Sequence, residues 1–313
     1  MSWSEASLHR WLVERGTGAA RIAGSIGHDA AVLARLSGRL VASVDQTLEG
    51  VHFLRSTPAR LVGEKAARRA LSDLAATAAE PVALLCALAA PRRTDEAWIR
   101  AAVAGVDRAA ARFGAALVGG DLAAAEGPRG LSVTALGVLC GRRTPPGRDR
   151  ARPGELLLLT GPVGGSRLGR HLSIEPRFAE ARFLYQAGAS AMMDVSDGLA
   201  LDLSRLAARS GVRIDLERVL VHADARRAAR RDGRSALEHA LGDGEDHELL
   251  VTIAPRRWKG IEALARRRFR RLRVVGRVRA GRGLYLPCDR GGPREHGGEL
   301  APWDGRGGYV HGR

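Results

Sequence analysis

Ser43-Val44-Asp45-Gln46-Thr47-Leu48-Glu49-Gly50-Val51-His52-Phe53 carries an aspartate at the end of an apolar segment and then a glycine turn. The same arrangement recurs along the chain, as Gly27-His28-Asp29, Leu71-Ser72-Asp73 and Gly119-Gly120-Asp121, and again as Asp194-Val195-Ser196-Asp197-Gly198. Aspartates beside Gly or Ser at the ends of strands are costly to gather in one place unless a cation neutralises them. Mg²⁺ takes such hard oxygen ligands, commonly with substrate phosphates completing its shell. The pattern points to phosphoryl transfer.

Working outward, the hydropathy pattern predicts two α/β halves. In the first, residues 39–44 read as a strand, 58–79 as a helix with proline near its start, 82–90 as a strand and 94–113 as a helix. Short strands follow at 115–118 and 131–139. Residues 141–154 are rich in Pro, Gly and Arg and read as a linker between a domain at 1–140 and another at 155–313. The second half begins with a buried strand at 155–160. Helices follow at 179–188, 198–209 and 255–268, with strands at 212–216, 248–253 and 272–278. Residues 281–313 are Gly-rich and read as loop.

These blocks resemble thiamine-monophosphate kinases. Residues 43–53 are similar to that family's T-T-D-x-L-V-E-G-V-H-F stretch. Lys65-Ala66, Leu71-Ser72-Asp73-Leu74-Ala75-Ala76 and Ala79-Glu80-Pro81 are similar to its K-A-L-A-x-N-L-S-D-L-A-A-M-G-A-x-P. Leu117 to Asp121, the run from Asp194 and Gly244-Glu245-Asp246-His247-Glu248-Leu249 follow in the family's order. The resemblance implies an α/β (α+β), two-domain fold shared with aminoimidazole-ribonucleotide synthetase and selenophosphate synthetase. It also implies a homodimer formed through the N-terminal sheet, and an ATP site in a cleft between the domains.

The same resemblance assigns roles. Asp29, Ser43, Asp45, Asp73, Asp121, Asp194 and Asp197 match positions that bind several Mg²⁺ ions. Gly120, Asp121, Arg148 and Ser196 match positions that contact ATP, and His52, Glu245 and Trp303 match positions at thiamine monophosphate. A carboxylate and an aromatic wall suit a cationic ring. No catalytic group is needed beyond those that position metal and substrate, because phosphoryl transfer depends on in-line placement and charge neutralisation. Asp197 also reads as an N-cap for the helix that follows. Lys65 lies outside any G-K-[ST] context, which excludes a P-loop kinase.

Several positions depart from the family pattern. His28, Val44 and Ala70 stand where it has Asp, Thr and Asn, and Leu122-Ala123-Ala124 replaces T-T-R. Each removes a polar group that would orient metal ligands. Two alternatives therefore stay open: another ATP-dependent enzyme of the same superfamily, and a catalytically weakened nucleotide-binding relative.

The 313 residues suffice for two domains with cores, and hydrophobic residues make up 45%. No apolar run reaches the ~18 residues that span a bilayer. Met1-Ser2-Trp3-Ser4-Glu5 does not lead a basic segment into an apolar one, so no signal peptide is expected. Cys86, Cys140 and Cys288 are widely spaced and read as reduced, as in a cytoplasmic enzyme. The net charge is +16, yet of 50 basic residues only Lys65 and Lys259 are lysines. That skew reads as compositional bias and a solvated surface, with non-specific polyanion binding confined to low salt. Aromatics at 4% offer no stacking platform for single strands, so no specific nucleic-acid partner is expected.

Overall fold

The computed structural model describes residues 3–15, 30–139, 141, 143–289, 292–305 and 308. The chain divides into two compact units. One comprises residues 1–74, 79–142 and 172–174; the other comprises 75–78, 143–171 and 175–313.

The first unit contains α1 (Glu5–Arg15), β1 (Arg39–Leu48), α2 (Ala59–Ala76, belonging here through Leu74), β2 (Glu80–Ala90), α3 (Glu96–Arg112), β3 (Ala116–Ala124) and β4 (Gly130–Leu139). Its sheet has the order β1-β4-β2-β3, with β2 and β3 parallel and the other pairs antiparallel. α2 buries Ala66, Ala67, Ala70, Leu71 and Leu74 along one face, at the three- and four-residue spacing of a helix. Asp95 caps α3, its side chain accepting from Ala97 N at 3.0 Å, and Ile99, Ala102, Val103 and Val106 face inward.

β1 and β3 both run further than hydropathy predicts. Every residue of β1 pairs with β4, from Arg39 opposite Leu139 to Leu48 opposite Gly130. β3 pairs with β2 as far as Ala124. The ladder partner sets these lengths, so Asp45 and Asp121 lie inside strands rather than at their ends.

The second unit contains β5 (Leu156–Leu159), α4 (Phe178–Ala187), β6 (Met192–Asp194), α5 (Leu199–Ser210), β7 (Arg213–Leu216), α6 (Ala223–Asp232) and α7 (Ala236–Gly242). These are followed by β8 (Leu249–Ile253), α8 (Pro255–Arg268), β9 (Arg273–Arg279), β10 (Gly283–Asp289), β11 (Gly292–Pro293) and β12 (Glu299–Pro302). The sheet order is β11-β10-β7-β9-β5-β8-β6, with β12 paired to β10. β5 is buried on both faces. Leu157 and Leu159 join Leu199, Leu203 and Leu206 of α5, while Leu156 and Leu158 join Leu184, Trp258 and Ala265 of α4 and α8.

The expectation of a loop-like tail is corrected here. β10 pairs in parallel with β7, Gly283 opposite Arg213, and carries β12 on its other side. Leu284 and Leu286 enter the core. A Gly-rich segment with little intrinsic preference becomes strand because a distant edge accepts it. The helices α1, α6 and α7 and the short strand β6 also went unread in the sequence. α7 has a full capping box, in which the Ser235 side chain accepts from Glu238 N and Glu238 from Ser235 N. Among the described residues no helix is long and apolar enough to cross a membrane.

Candidate active site

In the first unit, β1 and α2 build a two-by-two arrangement. Ser43 and Asp45 are alternate strand residues and share a face, while Arg69 and Asp73 lie one turn apart on the helix. Ser43 Oγ donates to Asp73 Oδ2. Arg69 Nη2 donates to Asp45 Oδ1 at 3.0 Å, with the arginine side chain 10% exposed and the aspartate 24%.

Asp45 is at the same level of the sheet as the Gly120-Asp121 pair, through Val133 and then Cys86. Three strand spacings separate them, about 14 Å of backbone, too far to share one ion. Asp121 is exposed on the edge strand. A Cβ on Gly120 would meet Cys86 O at 1.9 Å, so strand packing alone demands glycine there. His52 is buried, and its Nδ1 accepts from Leu48 N at 3.0 Å, which leaves the ring proton on Nε2. The fully buried Lys65 donates through Nζ to His52 O. Asp29, His28 and Cys140 lie outside the described residues.

In the second unit, three loops meet at one end of the sheet, because β5 and β6 each pair antiparallel with β8. Beyond β6, Val195 N donates to Glu248 O at 2.8 Å, His247 N to Val195 O at 2.8 Å and Glu245 N to Ser196 O at 2.7 Å. These bonds lay residues 194–197 alongside 244–248. The loop after β5 is tied to the same segment. Gly164 N donates to both oxygens of Asp246 at 2.9 and 3.0 Å, and Ser166 Oγ to Gly244 O at 2.6 Å. Gly164 has φ +95°, and a Cβ there would meet Ala240 Cα at 2.5 Å.

Asp197 does not cap α5, contrary to expectation. The N-cap is Gly198, without a side-chain cap bond. Asp202, from the first helical turn, accepts from Ser196 N at 3.0 Å and Asp197 N at 2.9 Å instead. Asp197 accepts from Arg205. Burial pushes the Asp202 carboxyl up to about 7.

Glu245 has φ +53° and His247 φ +50°, left-handed values that cost a non-glycine residue roughly 1–2 kcal/mol each. Such strain persists where surrounding bonds over-determine it, as the three loops do here. His171 Nδ1 is 3.5 Å from Glu245 Oε2. Arg148 is exposed, and its carbonyl accepts from Ser210 Oγ at 2.9 Å. Trp303 N donates to Leu284 O at 2.9 Å, and its side chain packs at the edge of the core.

The expected site residues are thus grouped in two sets. Ser43, Asp45 and Asp73 come together in the first unit, with Asp121 three strands away; Asp194, Ser196, Asp197 and Glu245 come together in the second. Among the described residues no three His, Cys, Asp or Glu side chains form a single metal-holding group.

Asp246 and Glu248 lie in the quoted 244–249 block, but their partners carried no sequence signal: Arg170 Nη2 reaches Asp246 at 2.7 Å and Arg177 Nε reaches Glu248 at 2.9 Å.

Family models agree with this architecture. The AIR synthase related protein N-terminal domain matches residues 27–139 and its C-terminal domain matches 154–289. The thiamine-monophosphate kinase of Rhodopirellula baltica is 39% identical over 264 residues, which cover 80% of this chain and 82% of that protein. The crystal structure of thiamine-monophosphate kinase from Stenotrophomonas maltophilia K279a superposes with a TM-score of 0.75 at 32% identity, covering 91% of this chain and 96% of that one. A structure of AaThiL complexed with AMPPCP and TMP gives 0.71 at 31%, covering 83% and 87%. With both halves matched and a relative 39% identical over most of its length, the chain belongs to the thiamine-monophosphate kinase family of AIR synthase related proteins.

Proposed function

We propose that this protein transfers the γ-phosphoryl group of ATP to the phosphate of thiamine monophosphate, giving thiamine diphosphate and ADP. The observation that carries this reading is the likeness to AaThiL complexed with AMPPCP and TMP, 31% identical and covering 83% of this chain. An oxygen of the acceptor phosphate forms a new bond to the γ-phosphorus as the bond from that phosphorus to the β–γ bridging oxygen breaks, and the bridging oxygen leaves on ADP.

The chain's own part is positioning. By resemblance, Mg²⁺ is assigned to Ser43, Asp45, Asp73 and Asp121 in one unit, to Asp194 and Asp197 in the other, and to Asp29. Mg²⁺, when bound, supplies neutralisation of the phosphate charge. Gly120, Arg148 and Ser196 are assigned to ATP. His52, Glu245 and Trp303 are assigned to the acceptor, with His52 presenting Nε2–H as a donor to its phosphate. The rigid anchoring of residues 244–248 supports Glu245 in this role, because a strained loop held by several hydrogen bonds loses little entropy on binding.

A homodimer accompanies this reading. Leu40 and Val44, each 63% exposed, lie on the same face of β1, an apolar surface suited to a second copy of the sheet. A cytoplasmic setting suits Cys86 and Cys288, both free thiols.

The test is to incubate purified protein with thiamine monophosphate and Mg-ATP and to follow thiamine diphosphate and ADP, with a chelator control. Product that forms only with the divalent ion is expected. Metal-dependent ATP binding without product would favour the weakened nucleotide-binding relative.

A further inference from the structure

We propose that Arg69 is a built-in counter-cation for Asp45, so that this chain holds no divalent ion on that carboxylate. The inference rests on the metal-assisted kinase reading of the site.

Arg69 lies one turn before Asp73 on α2, and its Nη2 donates to Asp45 Oδ1 at 3.0 Å. The side chains are 10% and 24% exposed, so the pair is only weakly screened by salt and water. A guanidinium remains protonated at any physiological pH and, unlike a metal ion, cannot dissociate. A divalent cation on the same carboxylate would be placed beside a fixed positive charge, and the two compete.

The neighbouring residues fit this exchange. Ala70 is fully buried and offers no polar group. That position thus supplies nothing to orient a metal at Asp45, while a permanent cation stands beside it in the chain. Ser43 Oγ donates to Asp73 Oδ2, a second hard-oxygen pair between β1 and α2. The guanidinium bond to Asp45 thereby keeps a divalent ion off that carboxylate.

Mn²⁺, counted by electron paramagnetic resonance in the presence of AMPPCP, tests the idea without relying on turnover. Wild type and Asp45→Asn should bind the same number of ions. Arg69→Gln should bind one more, and the double variant should lose it again. Loss of an ion in Asp45→Asn alone would overturn the proposal, as would an unchanged count in a folded Arg69→Gln protein. If Arg69→Gln does not fold, the comparison of wild type with Asp45→Asn still decides. Absence of any nucleotide-dependent Mn²⁺ binding in wild type would instead remove the kinase reading and this inference with it.

Discussion

His247 Nδ1 lies 2.9 Å from Asp194 Oδ2, and the two side chains are 2% and 3% exposed. An ionised carboxylate only accepts, so the imidazole proton sits on Nδ1 and points at Asp194. His247 itself has a left-handed backbone, with φ +50°. Asp194 is thus held from a strained loop that also carries Glu245, which couples a metal-assigned residue to a substrate-assigned one.

Removing the imidazole takes a hydrogen bond from a buried carboxylate, a change that typically costs ~1.5–3 kcal/mol. His247→Ala should therefore lower unfolding stability by roughly that amount in urea titrations, beyond the effect of an average substitution. A loss below about 1 kcal/mol would mean that the pair does not hold the loop.

Asp246 makes stability depend on pH. Burial pushes its carboxyl up to about 7, against the opposing pull of Arg170 and the Gly164 N–H. A raised folded-state value means that its contribution is complete below the unfolded carboxylate value of about 4. The contribution is then lost as pH rises through about 7. Asp246→Asn cannot titrate, so the stability advantage of wild type over this variant should shrink between pH 5 and 8. Thermal melts across that range check it, and an advantage independent of pH would contradict the assignment.

Trp303 governs acceptor affinity if its ring faces the thiazolium. Loss of an aromatic wall against a cation costs ~1–2 kcal/mol, roughly tenfold in affinity. Trp303→Ala should raise KM for thiamine monophosphate about tenfold and leave KM for ATP nearly unchanged. Equal changes in both constants would mark Trp303 as core packing alone.

Val44 tests the sheet-pairing interface. A charge placed on the exposed apolar face of β1 should separate two copies without disturbing the fold of either, because Val44 is 63% exposed. Solution mass should fall from twice 33.3 kDa for wild type to 33.3 kDa for Val44→Asp. A wild-type monomer at micromolar concentration would refute this interface.

The family, the α/β class and the kinase chemistry were legible in the sequence, because they rest on local signals. Helical spacing in α3, the apolar run of β5 and the ordered series from Asp45 through Asp121 to Asp194 can each be read within a short window. Other features depend on segments far apart in the chain. No spacing rule links Asp45 to Arg69, Asp194 to His247 or Gly164 to Asp246; sheet register and helix placement bring each pair together. β10 and β12 form where a glycine-rich tail finds ladder partners, and Asp202 takes over the backbone donors beside Asp197 because the chain turns at Gly198. Local propensity and residue chemistry are encoded position by position. Which charges neutralise one another is decided only when the backbone closes distances that the sequence does not show.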